Sequence, residues 1–162
     1  ALRTRLAMGQ DLADLARELD IDIEESTPGP VYATLFVGIF DPATRELRCV
    51  NAGHNPQYAI RRSGALERMP ATGLPIGLLA GRGYTEQRVA LDTGDLLFFF
   101  TDGCVEAENA QGEMFGTERL EAALQAAVDS QDVLATVEAA LSRFRAGVEL
   151  SDDATMMVLR VG

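Results

Sequence analysis

The run Leu96-Leu97-Phe98-Phe99-Phe100-Thr101-Asp102-Gly103 is the stretch from which the rest of the chain is read. Five consecutive large apolar residues are far short of the roughly 20 needed to cross a bilayer. They also lack the polar alternation of a half-exposed strand, so they predict a strand buried on both faces. Asp92-Thr93-Gly94-Asp95 turns the chain into that strand, and Thr101-Asp102-Gly103 stops it. A carboxylate at such a stop is held by a rigid backbone and stays within reach of water. A second strand-end acid pair, Asp152-Asp153, stands immediately before Ala154 and the closing run 155–161.

Between these two points lie two helical patterns. Leu120, Ala123, Leu124 and Val128 make one stripe over 117–130; Val133, Val137, Leu141 and Phe144 make another over 132–145. Upstream, residues 2–26 are helical in pattern, with Leu12, Leu15, Ala16 and Leu19 recurring at helical spacing. Thr27-Pro28-Gly29-Pro30 breaks the chain. Residues 31–40 (VYATLFVGIF) predict a strand buried on both faces, turning at Asp41-Pro42 into an alternating return strand over 46–51. Residues 57–62 and 65–69, joined through Ser63-Gly64, predict a second hairpin, and 84–91 another strand. Residues 72–79 (TGLPIGLL), with two glycines and a proline, predict a shaped loop. The order is thus a helix, about five strands in antiparallel pairs, two helices and a last strand. Strands and helices are segregated, which is the α+β class rather than a doubly wound sheet.

The chain has 162 residues, enough for one domain with a real core, since 47% are hydrophobic. All 14 basic residues are arginine, against 25 acids, a net charge of −11. A surface this acidic repels phosphate backbones and anionic lipid, which argues against nucleic-acid binding and against membrane contact by this segment. A phosphorylated substrate stays compatible where a divalent cation supplies local positive charge. Cys49 and Cys104 show no metal-ligand spacing and read as reduced thiols of a cytoplasmic protein. No basic-then-apolar leader pattern stands at the start.

Asp102 and Asp152 can share a hard divalent cation, which prefers oxygen ligands; the competing reading is that they cap turns. Gly103 permits close approach of backbone and water. His54, the only histidine, lies in the turn Asn51-Ala52-Gly53-His54-Asn55-Pro56. It has no nucleophile pattern beside it, so it reads first as a hydrogen-bonding turn residue. Gly73 and Gly77 shape a turn or cradle an anion. No G-x-S-x-G, P-loop or G-x-G-x-x-G is present.

Taken in order, Asn51-Ala52-Gly53-His54-Asn55-Pro56, Thr72-Gly73-Leu74-Pro75-Ile76-Gly77, Gly94-Asp95-Leu96, Thr101-Asp102-Gly103, Glu106-Ala107, Gly112-Glu113-Met114-Phe115-Gly116 and Asp152-Asp153-Ala154-Thr155 resemble one family. It is the SpoIIE/RsbU-like branch of the metal-dependent (PPM-type, type 2C) serine/threonine protein phosphatases. The resemblance covers nearly the whole chain. It implies a PPM-type fold, an antiparallel β-sandwich flanked by helices, holding two manganese or magnesium ions. A metal-bridging water there attacks the phosphorus of a phosphoserine or phosphothreonine. It implies Asp102 and Asp152 as metal ligands, with Asp153 beside them as an orienting acid, and keeps Gly103 and His54 as candidate binding positions.

The family's G-D-F/Y-D and D-V-x-G-H-G segments, which carry its other ligands, have no counterpart in these residues. Asp11, Asp14, Asp20 and Asp22 are not promoted in their place. The expectation is a single PPM-type domain, 1–162, cut from a larger protein. Its implied partner is a phosphorylated regulatory protein such as an anti-sigma-factor antagonist, with a homodimer as a compatible assembly. The alternative is a module with an incomplete site that docks such a partner without hydrolysis.

Overall fold

The computed structural model describes residues 11–162 except 28, 30, 80–82, 129 and 131. Residues 2–10 of the expected first helix lie outside them. The remainder forms helix α1 (Leu12–Ser26), strands β1 (Leu35–Asp41), β2 (Glu46–Ala52), β3 (Gln57–Ile60), β4 (Leu66–Met69), β5 (Gln87–Ala90) and β6 (Leu96–Phe100), helices α2 (Gly116–Ala126) and α3 (Val133–Arg145), and strand β7 (Met156–Arg160). The class is α+β, as expected. Among the described residues six strands precede the two late helices, where the sequence suggested about five. No helix among them is long and apolar enough to cross a membrane.

The chain divides into two compact units, exchanging at Pro56/Gln57, Arg68/Met69 and Leu91/Asp92. In the first, β1, β2 and β5 make an antiparallel sheet in that order. The β1–β2 hairpin runs in register from Leu35 opposite Ala52 to Asp41 opposite Glu46. Helix α1 is capped by Asp11, whose carboxylate accepts the Ala13 and Asp14 N–H groups. Its Leu12, Leu15 and Ala16 are wholly buried, in one cluster with Val37, Val50 and Ala52.

The expectation that 31–40 is buried on both faces is corrected. The strand starts only at Leu35; Val31 and Tyr32 are 49% and 60% exposed, and only Val37 is fully buried along β1. The reason is its edge position. Among the described strands it pairs only with β2, and Leu35, Val37 and Ile39 pack in the cluster with α1 while the intervening Gly38 is exposed. The strand expected over 84–91 likewise shortens to β5.

In the second unit the sheet order is β4-β3-β6-β7, and the β3–β6 and β6–β7 pairs are antiparallel. Leu96, Phe98 and Phe100 of β6 join Tyr58 and Ile60 of β3 in a core closed by Leu120 and Leu124 of α2 and Val137 and Leu141 of α3. Both helices therefore pack on this sheet, as their stripes predict. Leu97 is also fully buried, so β6 is enclosed on both sides. Helix α3 starts on Asp132, whose carboxylate accepts the Ala135 N–H, and stops where Ala146 and Gly147 turn left-handed. Before Gly112-Glu113-Met114-Phe115-Gly116 the chain reverses at 109–112, where the Gly112 N–H donates to the Asn109 carbonyl (3.0 Å), and Met114 then bridges back to Glu108. Asn109 Oδ1 accepts from the Gln111 and Glu113 N–H groups, and Phe115 sinks edge-on against Phe144 of α3.

Candidate functional site

Strand β6 pairs with β7 from Leu96 opposite Arg160 to Phe100 opposite Met156. Asp102 follows β6 and Asp152-Asp153 precede β7, so the register alone brings both acidic segments to one end of the sheet. Thr101 stitches them together. Its N–H donates to the Thr155 carbonyl (3.0 Å), its hydroxyl donates to the Asp153 carbonyl (2.9 Å), and the same oxygen accepts the Thr155 N–H (2.9 Å).

Gly103 completes the seam. A Cβ there would stand 2.6 Å from the Asp153 carbonyl oxygen and 2.9 Å from its carbon. Glycine is needed for this close approach rather than for an unusual backbone angle. Residues 102–104 close a short 3-10 turn, unforeseen in the sequence, in which the Asp102 carbonyl accepts the Val105 and Glu106 N–H groups (both 2.9 Å).

Asp102, Asp152 and Asp153 are all exposed. One oxygen of Asp102 accepts the Gly103 N–H (3.1 Å) and one of Asp152 accepts the Asp153 N–H (2.7 Å). Both carboxylates keep their remaining lone pairs for a ligand. Behind this end, buried Gln57 clamps the last residue of β6. Its Oε1 accepts the Phe100 N–H (2.7 Å) and its Nε2 donates to the Phe100 carbonyl (3.2 Å). Cys104 is buried beneath the turn, and burial pushes its thiol up to about 11. The Cys49 thiol, in the first unit, is pushed up to about 11 for the same reason. Both thiols stay protonated at neutral pH.

His54 belongs to the first unit and is partly buried. Its turn is organised by Asn51, which is 1% exposed. Asn51 Oδ1 accepts the His54 N–H (2.8 Å), and its Nδ2 donates to the carbonyls of Asn55 (3.2 Å) and Met69 (3.3 Å). The imidazole Nδ1 lies 3.3 Å from the Asn55 carbonyl.

The loop 72–79 is shaped as expected, and the anion that it cradles is the chain's own. The Gly77 N–H donates to the fully buried Asp20 carboxylate (2.6 Å). Tyr84 packs against Gly73, and its hydroxyl is pushed up to about 12 by burial first and by Asp20 beside it. Asp95, of Gly94-Asp95-Leu96, is 2% exposed. It accepts from the Arg62 and Asp92 N–H groups and pairs with Arg61 at 2.9 Å. Burial drives its pKa up, yet the Asp92 N–H, the Arg61 guanidinium and the Arg62 N–H outweigh that and hold it below the usual range. These motif residues build the scaffold. Among the described motif residues, Asp102, Asp152 and Asp153 form the exposed acidic end, with buried Gly103 at its seam. The sequence reading missed Gln57 and Thr101; the hydroxyl directly before Asp102 was the available signal for Thr101.

The family model of stage II sporulation protein E matches residues 1–162. The chain belongs to the SpoIIE family. Among similar proteins, IcfG of Synechocystis is 30% identical over 130 residues, 80% of this chain and 20% of that protein. The phosphoserine phosphatase RsbU of Bacillus subtilis is 23% identical over 155 residues, 91% of this chain and 44% of that protein. A chain holding the PP2C phosphatase domain and a fragment of the regulatory domain of Bacillus subtilis SpoIIE superposes with a TM-score of 0.81 at 22% identity, over 99% of this chain and 47% of that one. The chain therefore has the fold of the SpoIIE family's phosphatase domains and spans less than half the length of these relatives.

Proposed function

We propose that this chain is the greater part of a single PPM-type phosphatase domain within a larger protein. It removes phosphate from a phosphoserine or phosphothreonine of a regulatory protein, such as an anti-sigma-factor antagonist, in bacterial cytoplasmic signalling. The observation that carries the reading is the acidic end of the four-stranded sheet, where Thr101 and Gly103 lock Asp102 beside Asp152-Asp153. The relatives' names support the reaction class.

The donor set fits a hard divalent cation in kind: carboxylate oxygens, exposed, on two rigidly joined strand ends. Among the described residues no group of three or more His, Cys, Asp or Glu is placed to hold a metal ion. At most two of Asp102, Asp152 and Asp153 can therefore share one ion in this arrangement, and water or further donors would supply the rest of its shell. Bound manganese or magnesium supplies a more acidic water and neutralises charge on phosphoryl oxygens. The chain's own work is to fix the carboxylates. Their charge would hold an ion, and β6, anchored by buried side chains each worth roughly 1.5–3 kcal/mol, keeps Asp102 from drifting.

The same absence of a three-residue cluster favours the second reading, a docking module without turnover. Manganese-dependent hydrolysis of p-nitrophenyl phosphate by the full-length protein and its Asp102→Asn variant separates the two. Turnover that falls by orders of magnitude in the variant, with unchanged melting temperature without metal, supports the enzyme. Full activity in a destabilised variant refutes the ligand role, and no manganese-dependent turnover in the wild type favours docking alone.

A further inference from the structure

The other end of the four-stranded sheet carries a second feature, of opposite charge. Ile60 on β3, Leu96 on β6 and Arg160 on β7 lie side by side, because Leu96 pairs with both. Strand β3 runs directly on into Arg61 and Arg62. Arg61, Arg62 and Arg160 line a cavity of about 260 Å³ whose apolar side is formed by Ile60, Leu96 and Val128. Gly94 makes room for it, since a Cβ there would stand 3.3 Å from Arg62 Cδ.

Three guanidinium groups at one cavity are notable in a chain of net charge −11 with 14 arginines in all. Arg61 is neutralised by Asp95 and Glu67. Among the described residues, Arg62 and Arg160 make no ion pair and no side-chain hydrogen bond. Two arginines therefore line a cavity that no carboxylate among the described residues lines, above an apolar floor in which Ile60 and Leu96 are 2% and 3% exposed. Guanidinium groups bind the oxygens of phosphate and carboxylate in paired, planar fashion. Residues 96 to 100 of β6 separate this cavity from the acidic end, about 13 Å of extended chain, so the two are distinct sites.

We propose that this cavity binds a small organic oxyanion, a phosphate ester or a carboxylate. Arg62 and Arg160 take its charge, and its apolar body rests on Ile60, Leu96 and Val128. The inference does not depend on catalysis at the acidic end.

Calorimetric titration of the full-length protein with phenyl phosphate and with benzoate, at low salt and with EDTA present, tests it. At least one probe should bind one-to-one, and the stronger of the two identifies the class. Arg62→Gln and Arg160→Gln should each weaken binding by roughly tenfold, about the worth of one charged hydrogen bond, and the double variant should abolish it. Asp102→Asn should leave binding unchanged, which separates this site from the acidic end. Among the described residues neither arginine supports the fold through an ion pair, so the double variant should melt with the wild type. No binding of either probe, or undiminished binding by the double variant, overturns the proposal.

Discussion

Replacing Gly103 by alanine should force the two acidic segments apart. The added methyl would meet the Asp153 carbonyl oxygen at 2.6 Å, where ordinary contact begins at 3.4 Å, a deficit of 0.8 Å. The atoms met are backbone, so no side-chain rotation relieves the clash and the loop before β7 must move. The Thr101 hydroxyl bond to the same carbonyl, now 2.9 Å, is lost if the carbonyl retreats by that distance. Overpacking costs about 1–3 kcal/mol and the lost hydrogen bond about 0.5–1.5 kcal/mol, together about 2–4 kcal/mol. For a chain of this length that lowers the melting temperature by roughly 5–15 °C. Gly83→Ala is the matched control, because a Cβ there meets nothing within 4 Å. Calorimetric melting of both variants, with and without manganese, reads the effect. Manganese-dependent turnover should fall in Gly103→Ala even at temperatures where it is folded. If Gly103→Ala melts within about 1 °C of Gly83→Ala, the close approach is not a constraint and the reasoning fails.

Thr101→Val keeps the shape but removes the hydroxyl that joins Asp153 and Thr155. It should cost about 1–2 kcal/mol and reduce metal-dependent turnover, and Thr101→Ser should restore both; equal melting of all three would refute the stitch. Asp95→Asn should destabilise by about 2–4 kcal/mol at neutral pH, because a buried carboxylate with an arginine partner and two N–H donors loses its charge. The folded pKa is lowered, so this contribution is complete above the unfolded value of about 3.9 and is lost as pH falls through the lower folded value. Urea melts from pH 7 downward should therefore show a constant gap between wild type and variant that closes only below about pH 4; a gap closing near pH 6 contradicts the assignment. Asn51→Ala should cost about 2–4 kcal/mol, since three side-chain hydrogen bonds go with it, one buried and two partly buried, and more than His54→Ala, in which the backbone N–H bond of residue 54 survives. The reverse order in denaturant titrations would move the structural weight onto the imidazole.

The elements legible in the sequence were those whose signal is local. The LLFFF run, the helical stripes of α2 and α3, and the Gly-Asp and Asp-Pro turns each carry their own period and stop. Edge position is not local, which is why β1 looked enclosed on both faces until its single partner and the exposed Val31 and Tyr32 were visible. Of the acidic end, the sequence alone named Asp102, Gly103, Asp152 and Asp153, because carboxylates at strand ends announce themselves and the ordered motifs resemble one family. That 102 and 152 share an end of a sheet is a matter of the β6–β7 register, across 49 intervening residues. Only tertiary structure decided how they are held: Thr101 binding across to Asp153, Gly103 yielding space to a carbonyl, Gln57 replacing a strand partner for Phe100. It also decided that the Gly77 N–H serves Asp20 and that Arg62 and Arg160 line one cavity. A hydrogen bond or a charge pocket depends on which distant groups folding brings within about 3 Å, and no spacing along the chain encodes that distance.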